Sequence, residues 1–578
     1  MAGFTSLPIT GIQAGNKVYL RPEINEWAAN NPIQLSLYIR ALENFQGRSF
    51  EDVKSYFQIA GIHGLPAIPW DNDPVPIEAA ESYLVDKNGN PTAGPDITKE
   101  FYCPHNTLLF PTWHRVYVLL FEQLLWEIMT EGILPQVPAD QQGEWQDEAN
   151  SWRLPFWDWA ADPQVPDVVR TQTVSIVDFD QSLSSTSGTS RWGLSDPLTT
   201  QAIAGIQNND FVDQALLHPD CRPFVPGAFA NYAEFTTTSH GSRSDPSGWL
   251  SLEMIHNYIH DLVGGVGWNL NNPDLTPGTG KNMYTYGHMA DLGTVAFEPI
   301  FWLHHCNADR QFAIYQANNG KDQWFTGYNS KKDPSATDNL YLFHTDTKFN
   351  NWNSDMVQNW TDLGYTYADL EPEKDSNDLK ASPGLIQKRL TKKYGHLRRV
   401  IHKVSDQNIV GLDNDYVINI TYNRFVLNGS SYIIHFFIGK EDDIPKDSAD
   451  YKLSLDHVGS IHTFSANYWT RGNKNGVNCE NCQKQQDNHQ LSKGQIPVTL
   501  QLLQRPLSTD ERWEDIQHLG TPHVPNRLLD IKDLPDLKIF FEAGKAEHPK
   551  DATQPSKFYG YEHQWEVTKE KLGGARPE

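Results

Sequence analysis

Cysteine is scarce. Five residues in 578, odd in number and widely scattered, exclude a disulfide framework. Positive charge is short as well: 47 lysines and arginines face 72 aspartates and glutamates, a net charge of -25. Repulsion of that size excludes nucleic acid and anionic membranes as partners. No apolar run approaches the roughly 18 residues that a membrane span needs. Residues Met1–Ser6 show no basic stretch leading into an apolar one, so a cytoplasmic protein is the expectation. What is plentiful is aromatic: 18 Trp, 23 Tyr and 26 Phe supply an aromatic core or cleft. The length exceeds one ordinary domain and predicts two.

The most informative stretch is Phe301-Trp302-Leu303-His304-His305-Cys306-Asn307-Ala308-Asp309-Arg310. A buried imidazole needs a hydrogen-bond partner or a metal. Asp309 lies one helical turn beyond His305 and suits a carboxylate that fixes a ligand's surroundings. Upstream, His256 and His260 stand at i and i+4 on a helical segment that ends at Gly264-Gly265, so they share one face. The zinc-protease pattern is excluded, because Asn257 stands where it needs glutamate. His105 and His114 are separated by Pro111, which places His105 in a loop and His114 in the first turn of a helix running to about Met129. His63 lies between Gly61 and Gly64, a backbone able to approach a site closely.

Around these, Lys17–Arg21 reads as a strand and Pro32–Phe45 as a helix, while 132–248 reads mostly as long surface loops with short helices. From about residue 400 the pattern turns β-branched and aromatic. Tyr416–Tyr422, Phe425–Ile438 around an Asn428-Gly429 hairpin turn, and Ile496–Leu503 predict a β-sandwich-like unit. It also carries Cys479-Glu480-Asn481-Cys482. The fold expected is therefore mainly α, a four-helix bundle holding a dinuclear site (1–395), followed by that β-rich unit (396–578).

Six histidines fall into two triplets: His63, His105 and His114, then His256, His260 and His305. Imidazole-only sites suit copper, zinc, iron or nickel and argue against magnesium, calcium and the facial-triad iron site. The Cys103-Pro104-His105, Pro111–Arg115, His256–His260 and Phe301–His305 patches, with the trailing Cys479/Cys482 pair, resemble the type-3 copper proteins, and within them the fungal tyrosinases.

The resemblance implies two copper ions, one held by His63, His105 and His114 and the other by His256, His260 and His305. It makes Cys103 a thioether partner of the first site, sets Phe301 near the substrate ring, and has Glu253 and Asn257 hold a water that takes the phenol proton. The substrates implied are phenols and O2, with monophenols ortho-hydroxylated and o-diphenols oxidised to o-quinones. Lys393-Tyr394-Gly395 resembles the motif closing the family's catalytic domain, with Arg21 as its expected partner. The β-rich unit would then be a lid, with Phe464, Tyr468 or Trp469 plugging the cleft until an activating protease cuts near 395–405. Cys479 and Cys482 would assist copper delivery. A catechol or o-aminophenol oxidase without monophenol hydroxylation, and a hemocyanin-like oxygen binder, remain alternatives.

Overall fold

Proline sets where three of the helices at or around the site begin. Pro32, Pro111 and Pro299 each occupy the first turn of a helix, where the missing N–H forfeits no intrahelical bond. These helices are α1 (Pro32–Gly47), α2 (Phe110–Glu127) and α4 (Pro299–Asn319), with α3 (Leu252–Gly264) between the last two. The computed structural model describes residues 6–64, 70–71, 103–187, 229–240, 249–264, 288–374, 380–394, 414–426, 432–437, 444–446, 451–465, 485, 488–504, 521–547 and 557–577, less short gaps within them.

Helix α2 is buried on all sides from Phe110 to Leu125, α3 along its whole length, and α4 from Pro299 to Tyr315. Helices covered all round belong at the centre of a fold. Helix α1 packs on α2, α2 on α4, and α4 on α3. Phe121 of α2 and Trp302 of α4 stack at 3.8 Å, nearly parallel, a contact that contributes about 0.5–1.5 kcal/mol beyond its buried area. Both helices expected before residue 130 are present, and α2 continues into a π-helical turn at Ile128–Ile133. The early strand is short: β1 (Tyr19–Leu20) pairs in parallel with β2 (Tyr365–Thr366). The 132–248 stretch holds a short helix of the kind expected, at Gln142–Ser151, and a hairpin that was not, Thr173–Val177 with Leu183–Ser187. Helix α5 (Pro383–Tyr394) closes the helical region.

The C-terminal part contains two four-stranded antiparallel sheets. One runs β6 (Ser492–Pro497), β3 (Asn414–Tyr422), β9 (Lys538–Glu547), β10 (Lys557–His563); the other runs β8 (Arg527–Leu528), β7 (Thr521–Val524), β4 (Ile433–Phe437), β5 (His457–His462). Ile418, Ile420, Phe541, Ile434, Phe436 and Ile461 fill the core. This matches the sandwich expected, but not the hairpin about Asn428-Gly429. Asn428-Gly429 itself lies outside the described residues, but the strands before and after it do not pair: β3 lies between β6 and β9, and β4 lies in the other sheet between β7 and β5. Ile496–Leu503 also divides, into the end of β6 and a helix at Thr499–Gln504.

The sandwich rests on the helical region. The Gln495 amide donates to Met254 Sδ of α3 at 3.2 Å, and the Lys493 amide to the Thr238 carbonyl at 2.8 Å. The expected boundary at 395/396 and the Cys479/Cys482 pair lie outside the described residues. Among those described, no helix is long and apolar enough to cross a membrane.

Candidate metal centre

Helix α3 presents His256 and His260 one turn apart, and α4 brings His305 against them. Their Nε2 atoms converge: 2.8 Å between His256 and His260, 3.1 Å between His256 and His305, 3.2 Å between His260 and His305. His256 Nδ1–H donates to Asn257 Oδ1 at 3.0 Å, which leaves Nε2 as a lone pair. Among the described residues, Nδ1 of His260 and of His305 has no hydrogen-bond partner. Burial first, and neighbouring imidazoles second, hold all three well below the usual histidine range. Neutral, buried lone pairs crowded this closely repel one another. A cation at their common centre, with bonds of about 2 Å, turns them into ligands. The cluster therefore fits a soft or borderline first-row ion.

His304 lies within reach of the same group, but its Nδ1 accepts from Trp159 Nε1–H at 3.2 Å. Its proton then sits on Nε2, and burial pushes its pKa down to about 3. This is the chemistry of a neighbour rather than a ligand.

The second cluster gathers His63, Cys103, His105 and His114, all buried. His63 Nδ1–H donates to the Leu292 carbonyl at 3.1 Å and His114 Nδ1–H to the Phe110 carbonyl at 2.7 Å, so both Nε2 atoms, 3.5 Å apart, are free to bind. Cys103 Sγ approaches His105 Nδ1 to 2.8 Å, His63 Nε2 to 3.2 Å and His114 Nε2 to 3.5 Å. A soft sulfur and three neutral imidazoles form a donor set suited to copper. Burial lowers all three histidine pKa values, that of His63 to about 3.

The clusters adjoin. The His114 and His305 rings stack at 4.5 Å, one from each set. Phe301 packs between them, 4.1 Å from His305 and 5.1 Å from His63 by ring centroids. From the sandwich, Phe464 stacks on His260 at 4.7 Å with rings almost parallel and lies 5.7 Å from His105. It is 1% exposed, so this aromatic covers the histidines; Tyr468 and Trp469 lie outside the described residues. Glu253 is buried with its pKa raised, burial outweighing Arg424 and its hydrogen bonds. Its carboxylate accepts from the Asn106 amide at 2.5 Å, Thr237 Oγ1 at 2.9 Å and the Thr238 amide at 3.1 Å.

Asp309 acts on the site at one remove. It bonds Arg115 Nε at 2.5 Å and Arg21 Nη1 at 3.1 Å, and the Tyr365 and Tyr367 hydroxyls at 2.6 Å each. Because Arg115 follows His114, this carboxylate ties α2 to α4. Arg21 is occupied there, with Glu122 at 2.9 Å as its second carboxylate. The partner of Tyr394 is instead Asp158, whose oxygens accept from the hydroxyl at 2.7 and 2.8 Å, with the Arg310 guanidinium 6.0 Å from the ring. Sequence reasoning missed Asp158, Trp159, Thr237 and Thr238, because no spacing rule joins them to the histidines. Cys306 packs as expected, its thiol pushed by burial up to about 12.

With this geometry in place, the similarities to known proteins are specific. Residues 53–318 match a family model described as the common central domain of tyrosinase, and 415–528 match the tyrosinase C-terminal domain. A tyrosinase of Aspergillus fumigatus is 29% identical over 91% of this chain and 86% of its own length. Polyphenol oxidase 3 of Agaricus bisporus is 28% identical over 83% and 82%. The holo-protyrosinase structure from Aspergillus oryzae superposes with a TM-score of 0.68 at 26% identity, covering 96% of this chain and 98% of the other.

Proposed function

Because the chain belongs to the tyrosinase family and carries both its central and C-terminal domains, we propose that it is a phenol oxidase that ortho-hydroxylates monophenols, oxidises o-diphenols to o-quinones, and is latent while its sandwich stays in place. The observation that carries this reading is the pair of adjoining imidazole clusters with Phe464 stacked over them. The cofactor is a pair of copper ions, which when bound supplies the binding and activation of O2. His63, His105 and His114 would hold one ion and His256, His260 and His305 the other. Their deep burial disfavours the protonated form and so keeps their ring nitrogens available as ligands. Cys103, beside His105, is the candidate for a thioether that fixes a loop ligand.

The protein's further share is positional. Phe301 forms an apolar wall between the clusters. Three donors on the Glu253 carboxylate leave about one of its four lone-pair sites open. A water held there and by Asn257 is the proposed acceptor of the phenol proton. The two units join at residues 395/396, an activating protease cuts at 395–405, and Cys479 and Cys482 take part in copper delivery. One observation favours a second reading, an o-diphenol oxidase without monophenol hydroxylation: Glu253 is engaged by Asn106, Thr237 and Thr238, and Asn257 by His256.

Turnover of tyrosine and of catechol, measured before and after proteolysis, tests these together. Several-fold activation towards both substrates is expected, and His260→Ala should lose the second copper and catechol turnover. Equal activity before and after cutting would refute latency. Catechol turnover without tyrosine turnover would decide for the second reading.

A further inference from the structure

Between the sandwich and the first metal cluster lies a buried polar junction that the chemistry above does not use. Gln485 is 3% exposed. Its Nε2 donates to the carbonyl of His105 at 2.8 Å, and its Oε1 accepts from Asn106 Nδ2 at 3.2 Å and from Arg424 Nη2 at 2.8 Å. Arg424, itself buried, donates from Nη1 to the carbonyl of Phe464 at 3.3 Å. One amide thus spans a candidate ligand loop and, through one guanidinium, the backbone of the ring that covers the site. A second amide follows: Gln490 Nε2 donates to the Asn106 carbonyl at 3.1 Å.

Asn106 is the other half of the junction. Its φ of 60° is left-handed, a conformation asparagine tolerates better than most residues. Its amide donates to Glu253 Oε1, and its Oδ1 accepts from Thr238 Oγ1 at 2.5 Å. The turn after His105 is therefore held from the helix side by Glu253 and from the sandwich side by two glutamines.

We propose that Gln485 is a positioning residue through which the C-terminal sandwich fixes, at once, the course of the His105–Asn106 turn and the seat of Phe464. The amide meets both demands: its Nε2 gives a proton to one carbonyl while its Oε1 accepts from two donors. Glutamate can accept but not donate, and leucine does neither. A buried donor or acceptor left without a partner costs more than its bond contributed. Closure then depends on this amide as well as on the apolar contact of Phe464. The inference rests on the latency proposed above and assigns its control to a residue.

The test uses the full-length, copper-loaded chain carrying Gln485→Leu or Gln485→Glu. Catechol oxidation without protease is one readout; hydrogen exchange across residues 103–110 is the other. Gln485→Leu should raise uncut activity on the order of tenfold, as expected for one lost buried polar partnership, and speed exchange in 103–110. Gln485→Glu keeps the Arg424 and Asn106 bonds and should fall between it and the parent. After the sandwich is cut away, kcat and KM of all three should coincide. Uncut variants as quiet as the parent, with unchanged exchange, would overturn the proposal. So would exchange that rises equally in β3 and β9, which marks general loosening of the sandwich. If instead the parent is equally active cut and uncut, latency fails, and the exchange data alone still judge Gln485.

Discussion

Asp309 holds two guanidinium groups and two phenol hydroxyls with one carboxylate, all of them buried. Burial alone would raise its pKa, but Arg115 and Arg21, with the Tyr365 and Tyr367 hydroxyls, hold it below the usual carboxylate range. Asp309→Asn keeps the shape and removes the charge, which leaves Arg115 buried without its carboxylate. Losing one partner of a buried pair costs about 3–5 kcal/mol. Holoenzyme stability in urea should fall accordingly. A depressed carboxyl stabilises above its unfolded pKa, about 3.9, and ceases to as pH falls through its folded value. The gap between parent and variant should thus be constant from neutrality to about pH 5 and shrink below about pH 4. A gap that closed by pH 6 would place the carboxylate's contribution elsewhere. At this scale the sequence was readable where spacing is short, as for His256 with His260; Asp309, one turn beyond His305, instead bonds Arg115, Arg21, Tyr365 and Tyr367. The sequence was silent on Arg115 as the carboxylate's partner and on Asp158 for Tyr394, since those pairings depend on how elements pack.

The loop carrying the candidate ligand His63 depends on close backbone approach. His63 leaves its helix between two glycines, and a Cβ on Gly64 would stand 2.6 Å from the carbonyl oxygen of Gly293 and 2.7 Å from its Cα. The neighbouring Leu292 carbonyl is the acceptor that orients His63. Gly64→Ala must push these segments apart, lengthening that bond and withdrawing one imidazole from its cluster. The expected outcome is a chain that folds but binds closer to one copper than two, with catechol turnover after proteolysis reduced by about 10–100-fold, the usual effect of losing a ligand's orienting partner. Metal analysis on the purified variant checks this, and full two-copper occupancy would disprove it. Helices were legible because apolar periodicity and proline mark them locally. Strand pairing was not: Asn428-Gly429 has the chemistry of a hairpin turn, yet its flanking strands join different sheets. The short hairpin at Thr173–Ser187 pairs the alternating strand Thr173–Val177 with Leu183–Ser187, whose serines and threonine read equally well as loop.

Across the whole molecule, the β-branched run beyond residue 400 announced a second unit, but not which of its aromatic residues would face the histidines. That depends on a docking geometry no local pattern encodes. Phe464 takes the place, and every candidate ligand is 4% exposed or less. In the closed chain a chelator can reach copper only when the sandwich lifts or the ligand loops open, so copper loss should be limited by that opening. Removing the sandwich would take away Phe464, the ring stacked on His260. Copper transfer to a coloured chelator should therefore run on the order of tenfold slower or more from the uncut chain, since each 1.4 kcal/mol of opening free energy is worth that factor. Phe464→Ala in the uncut chain should fall between the two, because it removes the ring stacked on His260 while Gln485 still holds the turn after His105. Equal rates from cut and uncut protein would mean that copper escapes along a path the sandwich does not cover, and the seat of Phe464 would then have no part in retaining the metal.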